Sequence, residues 1–411
     1  MKRLLFLLFN LILVVLFAVA LWQDTDRQWT RYQREFFSTL SREERRGVPG
    51  GVHQILANDF DRVDRCTTCH LAIDKPQVAL DKEPFTVHPG KFLEWHPVDK
   101  FGCTVCHGGQ GLATESDAAH GDVKHWEEPL LRGELVQASC RSCHGDLEAI
   151  AAHVPRLLQG QQLFAAKGCY GCHAVKTFGS EFGQTISQDL SEVGSKPYEL
   201  MTADFEMMAA PHDRIRWLER KLAHPRSLNP GLRVEQLPAG EEEVFPSAMP
   251  YFGLTEEEVT ALTTYLLSLK AFDPPASYVR RPKPAPTTTY GSSVERGKAV
   301  FDRYGCAACH GPGGVGGRRN WNAGLGGEVP PLLYAKAYYD KESLKRLIRE
   351  GRQPAPRAQP GRPNPPLYMP AWKDRISEED LDALADYLLS LYDLVPGAAA
   401  AVPEAPVSAT P

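Results

Sequence analysis

No cysteine in this 411-residue sequence is left over for a disulfide, because all ten fall into close pairs, each followed by a histidine. No basic stripe runs through it either. Lys and Arg number 46 against 51 Asp and Glu, for a net charge of −5, and that balance argues against a nucleic-acid partner. No segment alternates apolar and polar residues persuasively enough to predict a strand, so the expected fold class is all-α. Methionine is scarce, with six residues in all, which makes the place of each one informative. What remains is an ordinary globular composition, 43% hydrophobic, in a chain long enough for more than one domain.

The cysteine pairs are Cys66 and Cys69, Cys103 and Cys106, Cys140 and Cys143, Cys169 and Cys172, and Cys306 and Cys309, followed by His70, His107, His144, His173 and His310. A zinc site or a thioredoxin-like redox pair accounts for Cys-x-x-Cys alone. Neither explains a histidine directly after the second cysteine every time. Two thiols two residues apart on a helical turn reach both vinyl groups of one porphyrin, and the next residue then offers an imidazole to the iron. The pattern predicts five covalently bound haem c groups, each with its motif histidine as proximal ligand. Attachment of this kind takes place beyond the bacterial cytoplasmic membrane, so the haem domains are expected on the periplasmic or extracytoplasmic side.

The N-terminus agrees with export. Lys2 and Arg3 precede an apolar run from Leu4 to Trp22 that only Asn10 interrupts, which predicts a transmembrane anchor over residues 1–23 with its positive end in the cytoplasm. Ala18-Val19-Ala20 supports the competing reading of a cleaved signal peptide. The length of the run, with Trp22 and Trp29 suited to an interface, favours a retained anchor in the cytoplasmic membrane.

Residues 24–46 read as a polar helical stalk, broken at Gly47 to Gly51. The first three motifs recur at intervals of 37 residues, and the fourth follows 29 later. So few residues cannot build a core around each haem, and the porphyrins themselves must supply buried apolar surface. Residues 24–153 are therefore expected to form a haem-packed triple-haem module with little regular structure. Beyond Pro155 a repeat begins. The stretch from Gly160 to His173 matches that from Gly297 to His310. Met249-Pro250 leads into TEEEVTALTTYLLSLK and Met369-Pro370 into SEEDLDALADYLLSL. Thr255 to Glu258 and Ser377 to Asp380 are helix-start signatures. After them Val259, Leu262, Leu266 and Leu269, and Leu381, Leu384, Leu388 and Leu391, recur at helical spacing. Two domains are predicted, 154–272 and 294–393. Between them lies a Pro- and Thr-rich linker, 273–293, expected to be extended, and after them an Ala/Pro-rich tail, 394–411, expected to be disordered.

Both repeats resemble class I cytochrome c domains over nearly their whole length. The resemblance implies an N-terminal helix crossing a C-terminal one through Gly160, Phe164 and Tyr265 in the first domain and Gly297, Phe301 and Tyr387 in the second. It implies a distal methionine ligand before the last helix, Met249 and Met369, with Met201, Met207 and Met208 as competitors in the first domain. The family's proline, whose carbonyl orients the proximal histidine, matches Pro330 or Pro331. The first domain departs here, with Gln188-Asp189-Leu190. It also runs 76 residues from His173 to Met249 against 59 from His310 to Met369, which leaves room for an extra helix around Ile215 to Leu222.

The N-terminal stretches HPGKFLEWHP, FGCTVCHGGQG and AAHG resemble the triple-haem module of membrane-anchored multihaem cytochromes that accompany bacterial cytochrome b/Rieske quinol-oxidising complexes. That resemblance implies irons held by two histidines. Eight histidines lie outside the motifs: His53, His88, His96, His120, His125, His153, His212 and His224. The choices for distal ligands are His88, His96 and His120, with His125 next. A methionine thioether raises the potential of a haem above that of a bis-histidine one, so the expected function is a directional relay. Electrons would enter from a cytochrome b/Rieske-type or other quinol-oxidising partner at the membrane. They would leave to a soluble redox acceptor through the last domain, which the linker would let swing. Two alternatives stand beside it. A multihaem redox enzyme of peroxidase or nitrogen-oxide type needs an open iron position, of which the sequence gives no positive sign, so no catalytic residue is singled out. A direct quinol dehydrogenase would place its first haem close to the anchor, whereas Cys66 lies 44 residues beyond Trp22.

Overall fold

In the computed structural model, the residues described are 2–123, 126–177, 180–182, 187–201, 214–228, 247–282, 288–361 and 364–394. Met207, Met208, His125, His212, linker residues 283–287 and the tail from residue 395 lie outside them. The chain is mostly helical and divides into two compact units, Met1–Ser139 with Pro274–Ser277, and Cys140–Asp273 with Tyr278–Pro411. The division falls inside the expected 24–153 module, so the third motif belongs to the unit that holds the two C-terminal domains.

The first unit opens with α1 (Lys2–Thr25). Its 22-residue stretch Lys2–Gln23 has a mean hydropathy of 3.1 and none of it is buried. At about 1.5 Å per residue that length spans a bilayer's hydrocarbon core. The predicted stalk is not a free helix. It forms α2 (Gln28–Thr39) and α3 (Arg42–Arg46), the latter closed at its start by a Ser41/Glu44 capping box. Phe36 of α2 is fully buried with Leu71 and Phe85, and Gln33 donates to the carbonyls of Gly51 and Thr68 at 2.7 and 3.0 Å. Phe36 and Gln33 recur on one helix face, and that stripe carries the stalk into the core beside the first motif. The strand-free expectation also needs correction, because β1 (Ile55–Ala57) and β2 (Arg62–Asp64) pair antiparallel around a tight turn. Segments of three residues are too short for a period-2 pattern to be read from sequence. One-turn helices α4 (Phe92–Trp95), α5 (Val98–Phe101), α6 (Thr104–His107) and α7 (Ser116–Ala119) complete the unit.

In the second unit, α8 (Pro155–Ala166) packs on α10 (Glu256–Leu267). Between them in sequence come the short pair β3 (Val175–Thr177) and β4 (Ser180–Phe182), and α9 (Arg214–Ala223). The last of these is the predicted extra helix. The second copy pairs α11 (Ser293–Arg303) with α15 (Glu378–Ser390), with α12 (Ala307–His310), α13 (Ala335–Tyr338) and α14 (Lys341–Glu350) between. Both final helices carry the predicted caps: Thr255 accepts from Glu258 N and Ser377 from Asp380 N. The helix pairs meet where the sequence pointed. A Cβ on Gly160 would stand 2.0 Å from the Ala261 carbonyl, and one on Gly297 2.0 Å from that of Ala383. Phe164 lies 5.2 Å from Tyr265 and Phe301 5.7 Å from Tyr387, ring centre to ring centre.

The linker is not the free tether expected over 273–293. Arg280 N donates to Cys143 O at 2.6 Å, and Gly145 N donates to Arg280 O at 2.8 Å, so this part of the linker is fastened to the third motif. The last domain also shares a backbone seam with its neighbour, since a Cβ on Gly171 would meet Gly305 O at 2.4 Å. Contact that close leaves no room for the swing foreseen from composition.

Candidate haem sites

All ten cysteines stand outside any disulfide and sit in five short turns, each ending on its histidine. In every turn the N–H of the second cysteine donates to the carbonyl of the first. The distances are 3.1 Å for Cys69 to Cys66, 3.2 Å for Cys106 to Cys103 and 3.2 Å for Cys143 to Cys140. They are 3.2 Å for Cys172 to Cys169 and 3.3 Å for Cys309 to Cys306. The backbone thus places both thiols of each pair on one turn, as attachment to a single porphyrin requires.

In the first unit a residue that sequence reasoning passed over joins two of these turns. Asp64, wholly buried at the end of β2, accepts from the backbone N–H groups of Cys66 (3.0 Å), Cys103 (2.8 Å) and Thr104 (2.8 Å). One carboxylate thus fixes the starts of motifs one and two and holds the Cys66 and Cys103 sulfurs within 4.8 Å of each other. The shared carboxylate draws the two turn starts together. Asp64, Cys66 and Cys103 have the donors for a small cation site. The neighbouring Cys103 thiol and burial push the Cys66 thiol far above its ordinary value, which disfavours a thiolate there. Burial pushes the Asp64 carboxyl up, and the hydrogen bonds to it outweigh that, leaving it below the usual carboxylate range.

Asp64→Ala is therefore expected to strand three backbone donors and to cost about 3 kcal/mol or more, measured as a fall in thermal unfolding temperature. Its folded-state value is lowered, so its contribution is complete above about pH 3.9, the ordinary carboxylate value. That contribution is lost as pH falls through the lower folded value. A variant that melts like the native chain at neutral pH would refute this role. No sequence motif marks Asp64; only the folded β2 turn brings motif two to it.

The same unit brings two distal candidates to two proximal histidines. His120 lies 6.4 Å from His70 and His88 lies 6.1 Å from His107, between ring centres. His96 stands against Phe101 at 5.1 Å, its Nδ1 at 3.2 Å from the Phe92 carbonyl. Burial holds His70 and His107 below the ordinary imidazole value, in the neutral form that a metal requires. Hydrogen bonds to the Pro84 and Leu131 carbonyls oppose that shift.

In the second unit one cavity of about 1310 Å³ is lined by motif four with Met249 and by motif five with Met369. That volume exceeds the roughly 300–1,000 Å³ of a single small-molecule site. His173 Nδ1 bonds the Gln188 carbonyl at 2.7 Å, and His310 Nδ1 bonds the Pro330 carbonyl at 3.0 Å. With Nδ1–H spent on a carbonyl, Nε2 keeps its lone pair for iron. The departure at Gln188 is thereby resolved, because orientation needs a carbonyl and not a proline ring. Met201, 2% exposed, shares the cavity wall with Met249. Burial pushes the Cys169, Cys306 and Cys309 thiols up to about 12. The residues fit haem on a further count. Trp217 Nε1 is buried at this wall with no acceptor among the described residues, and a buried indole N–H calls for one, as a haem propionate supplies. Motif three packs alongside, with the Arg141 guanidinium 5.3 Å over the Tyr265 ring. Tyr265 in turn hydrogen-bonds Tyr170 of motif four.

Residues 157–270 match the family described as Cytochrome c, and residues 292–388 match the one described as Cytochrome C oxidase, cbb3-type, subunit III. Two stretches of the chain thus match cytochrome c families, and they follow an N-terminal helix long and apolar enough to cross a membrane. Among curated proteins, the chain is similar to the Cbb3-type cytochrome c oxidase subunit CcoP of Azospirillum sp. (strain B510), 30% identical over 142 residues. It is similar also to the subunit of the same name from Azospirillum brasilense, at 28% over 142 residues. Each match covers 34% of this chain and 37% of the relative's length. No solved structure matches.

Proposed function

We propose that the chain carries five haem c groups and relays electrons from a membrane quinol-oxidising complex of cytochrome b/Rieske type to an extracytoplasmic acceptor. The observation that carries this reading is the placement of His120 and His88 beside motif histidines in the first unit, and of Met249 and Met369 in the cavity wall with His173 and His310 in the second. The ring centres of His70 and His120 lie 6.4 Å apart and those of His107 and His88 6.1 Å apart. Each of these pairs would hold an iron in the first unit, as His173 with Met249 and His310 with Met369 would in the second. Bound haem supplies one-electron Fe(III)/Fe(II) chemistry. The residues supply ligand basicity, orientation through the Gln188 and Pro330 carbonyls, and apolar walls that exclude water. Imidazole pairs hold the ferric state better than a thioether does, so the ligand set favours flow from the first unit toward the second.

A second reading rests on the likeness to subunits of a Cbb3-type cytochrome c oxidase: the chain serves a terminal oxidase as its cytochrome subunit. Purification of the tagged full chain from native membranes separates the two. Co-purifying cytochrome b and Rieske subunits are expected, and oxidase subunits in their place would transfer the assignment to the second reading. Haem analysis is expected to give five groups per chain and four in Cys169→Ser/Cys172→Ser. Reduction of the isolated chain by quinol at the rate of the complex would overturn the need for a quinol-oxidising partner.

A further inference from the structure

The seam between the two C-terminal domains is backbone on backbone. A Cβ on Gly168 would stand 2.4 Å from Ala308 N, and one on Gly305, whose φ is +65°, 2.1 Å from Gly171 N. The two attachment turns therefore meet directly, and Cys309 lies within electrostatic reach of Cys172. A charged side chain stands at this junction. Arg318 follows motif five and is tied to it by its own N–H, which donates to Cys309 O at 2.9 Å; its carbonyl accepts from Val329 N at 2.8 Å. The guanidinium carbon lies 4.8 Å from the centre of the Phe252 ring, with Cys169 and Cys309 both within electrostatic range. Its Nε is buried and has no hydrogen-bond partner among the described residues.

A guanidinium partly removed from water, with one donor unmet, is costly. A merely structural arginine would stack on Phe252 with its donors turned to solvent or carbonyls. Here the charge is fixed between two attachment turns. A ferric haem carries one positive charge more than a ferrous one. A fixed cation beside it therefore disfavours the ferric state, and more strongly where the surroundings are apolar. We propose that Arg318 is a shared potential-setting residue, whose charge at the seam raises the reduction potentials of both C-terminal haems together. This rests on the reading of motifs four and five as consecutive stations of the relay. It adds to axial ligation a second device that makes this end of the chain the electron-accepting one.

The test is a spectroelectrochemical titration of the full haem-loaded chain, with haem content measured alongside. Arg318→Gln is expected to lower the midpoint potentials of both methionine-ligated haems and to leave the bis-histidine haems unmoved. Arg318→Lys, which keeps the charge, is expected to restore most of the shift. Arg318→Met, which keeps the length of the aliphatic stem, serves if glutamine prevents assembly and is expected to lower both potentials likewise. Phe252→Leu keeps the charge and removes only its aromatic support, so potentials close to native are expected. A full haem complement with unshifted potentials in the charge-free variant overturns the proposal. So does a shift at one haem only, or an equal shift in Phe252→Leu. Failure of the relay reading itself would appear differently, as a missing haem at motif four or five in the native chain.

Discussion

Gly297→Ala is expected to open the last haem domain under conditions where the native chain stays folded. The added methyl carbon would stand 2.0 Å from the Ala383 carbonyl and 2.7 Å from Tyr387 Cβ. A carbonyl inside α15 cannot rotate away without breaking the helix ladder, so the two helices must separate. Overpacking ordinarily costs about 1–3 kcal/mol, and a clash with fixed backbone belongs at or beyond the upper end. For a domain of about 100 residues, 3 kcal/mol lowers the midpoint by roughly 12–24 °C. Thermal unfolding followed at the haem absorbance of this domain checks it. The separation also exposes the core around Val300, Phe301, Leu384 and Leu388. Gly160→Ala makes the same demand on Ala261 in the preceding domain and is expected to behave alike. A midpoint within 2–3 °C of native in both variants, roughly the effect of half a kcal/mol, would show that the helix crossings have slack that so close an approach denies.

Met369→His is expected to produce the largest change in redox order. The substitution exchanges a thioether for an imidazole at the cavity wall that holds His310, and imidazole stabilises the ferric iron more. The terminal haem should fall into the range of the bis-histidine haems and cease to be the favoured resting place of the electron. Redox titration of the native chain should first show two haems, ligated by Met249 and Met369, above those ligated by His120 and His88. The variant should then leave one haem at the higher potential. A reversed order in the native chain would sink the directional relay. A large high-spin ferric signal in electron paramagnetic resonance of the native chain would favour the enzymatic reading, because it would mark an iron with an open position. Met201, on the same wall as Met249, gives a control. Met201→Leu should leave the methionine-ligated spectrum intact if Met249 is the ligand.

Much of the site could be read from the sequence, because covalent haem attachment is a local requirement. Two thiols and an imidazole must share one turn, so Cys306, Cys309 and His310 announce themselves by spacing. The helix caps at Thr255 and Ser377 are equally local, and so is the apolar run of α1. The repeat added long-range information, since two copies of one pattern pointed to the same contacts, and Gly160 and Gly297 met their partner helices as foreseen. Other expectations failed for identifiable reasons. Polarity suggested a stalk at residues 24–46, but Phe36 and Gln33 turn α2 into the core beside the first motif. Proline content suggested a free tether, but Arg280 is fastened to motif three.

By itself, then, the sequence determined the chemistry on offer: five Cys-x-x-Cys-His motifs suited to haem, a duplicated C-terminal half, and a helix of membrane-spanning length. Each of these follows from residues within a turn or two of each other, or from their repetition. The tertiary structure alone decided which groups the haem turns share. Asp64 serves two motifs 37 residues apart, the Gln188 carbonyl takes the place that the Pro330 carbonyl has in the other domain, and Arg318 stands where motif five meets motif four. Those roles come from backbone N–H groups, carbonyls and a buried charge brought together by packing. Hydrogen bonds and Coulomb forces depend on distance in space, and for these residues that distance exists only in the folded chain.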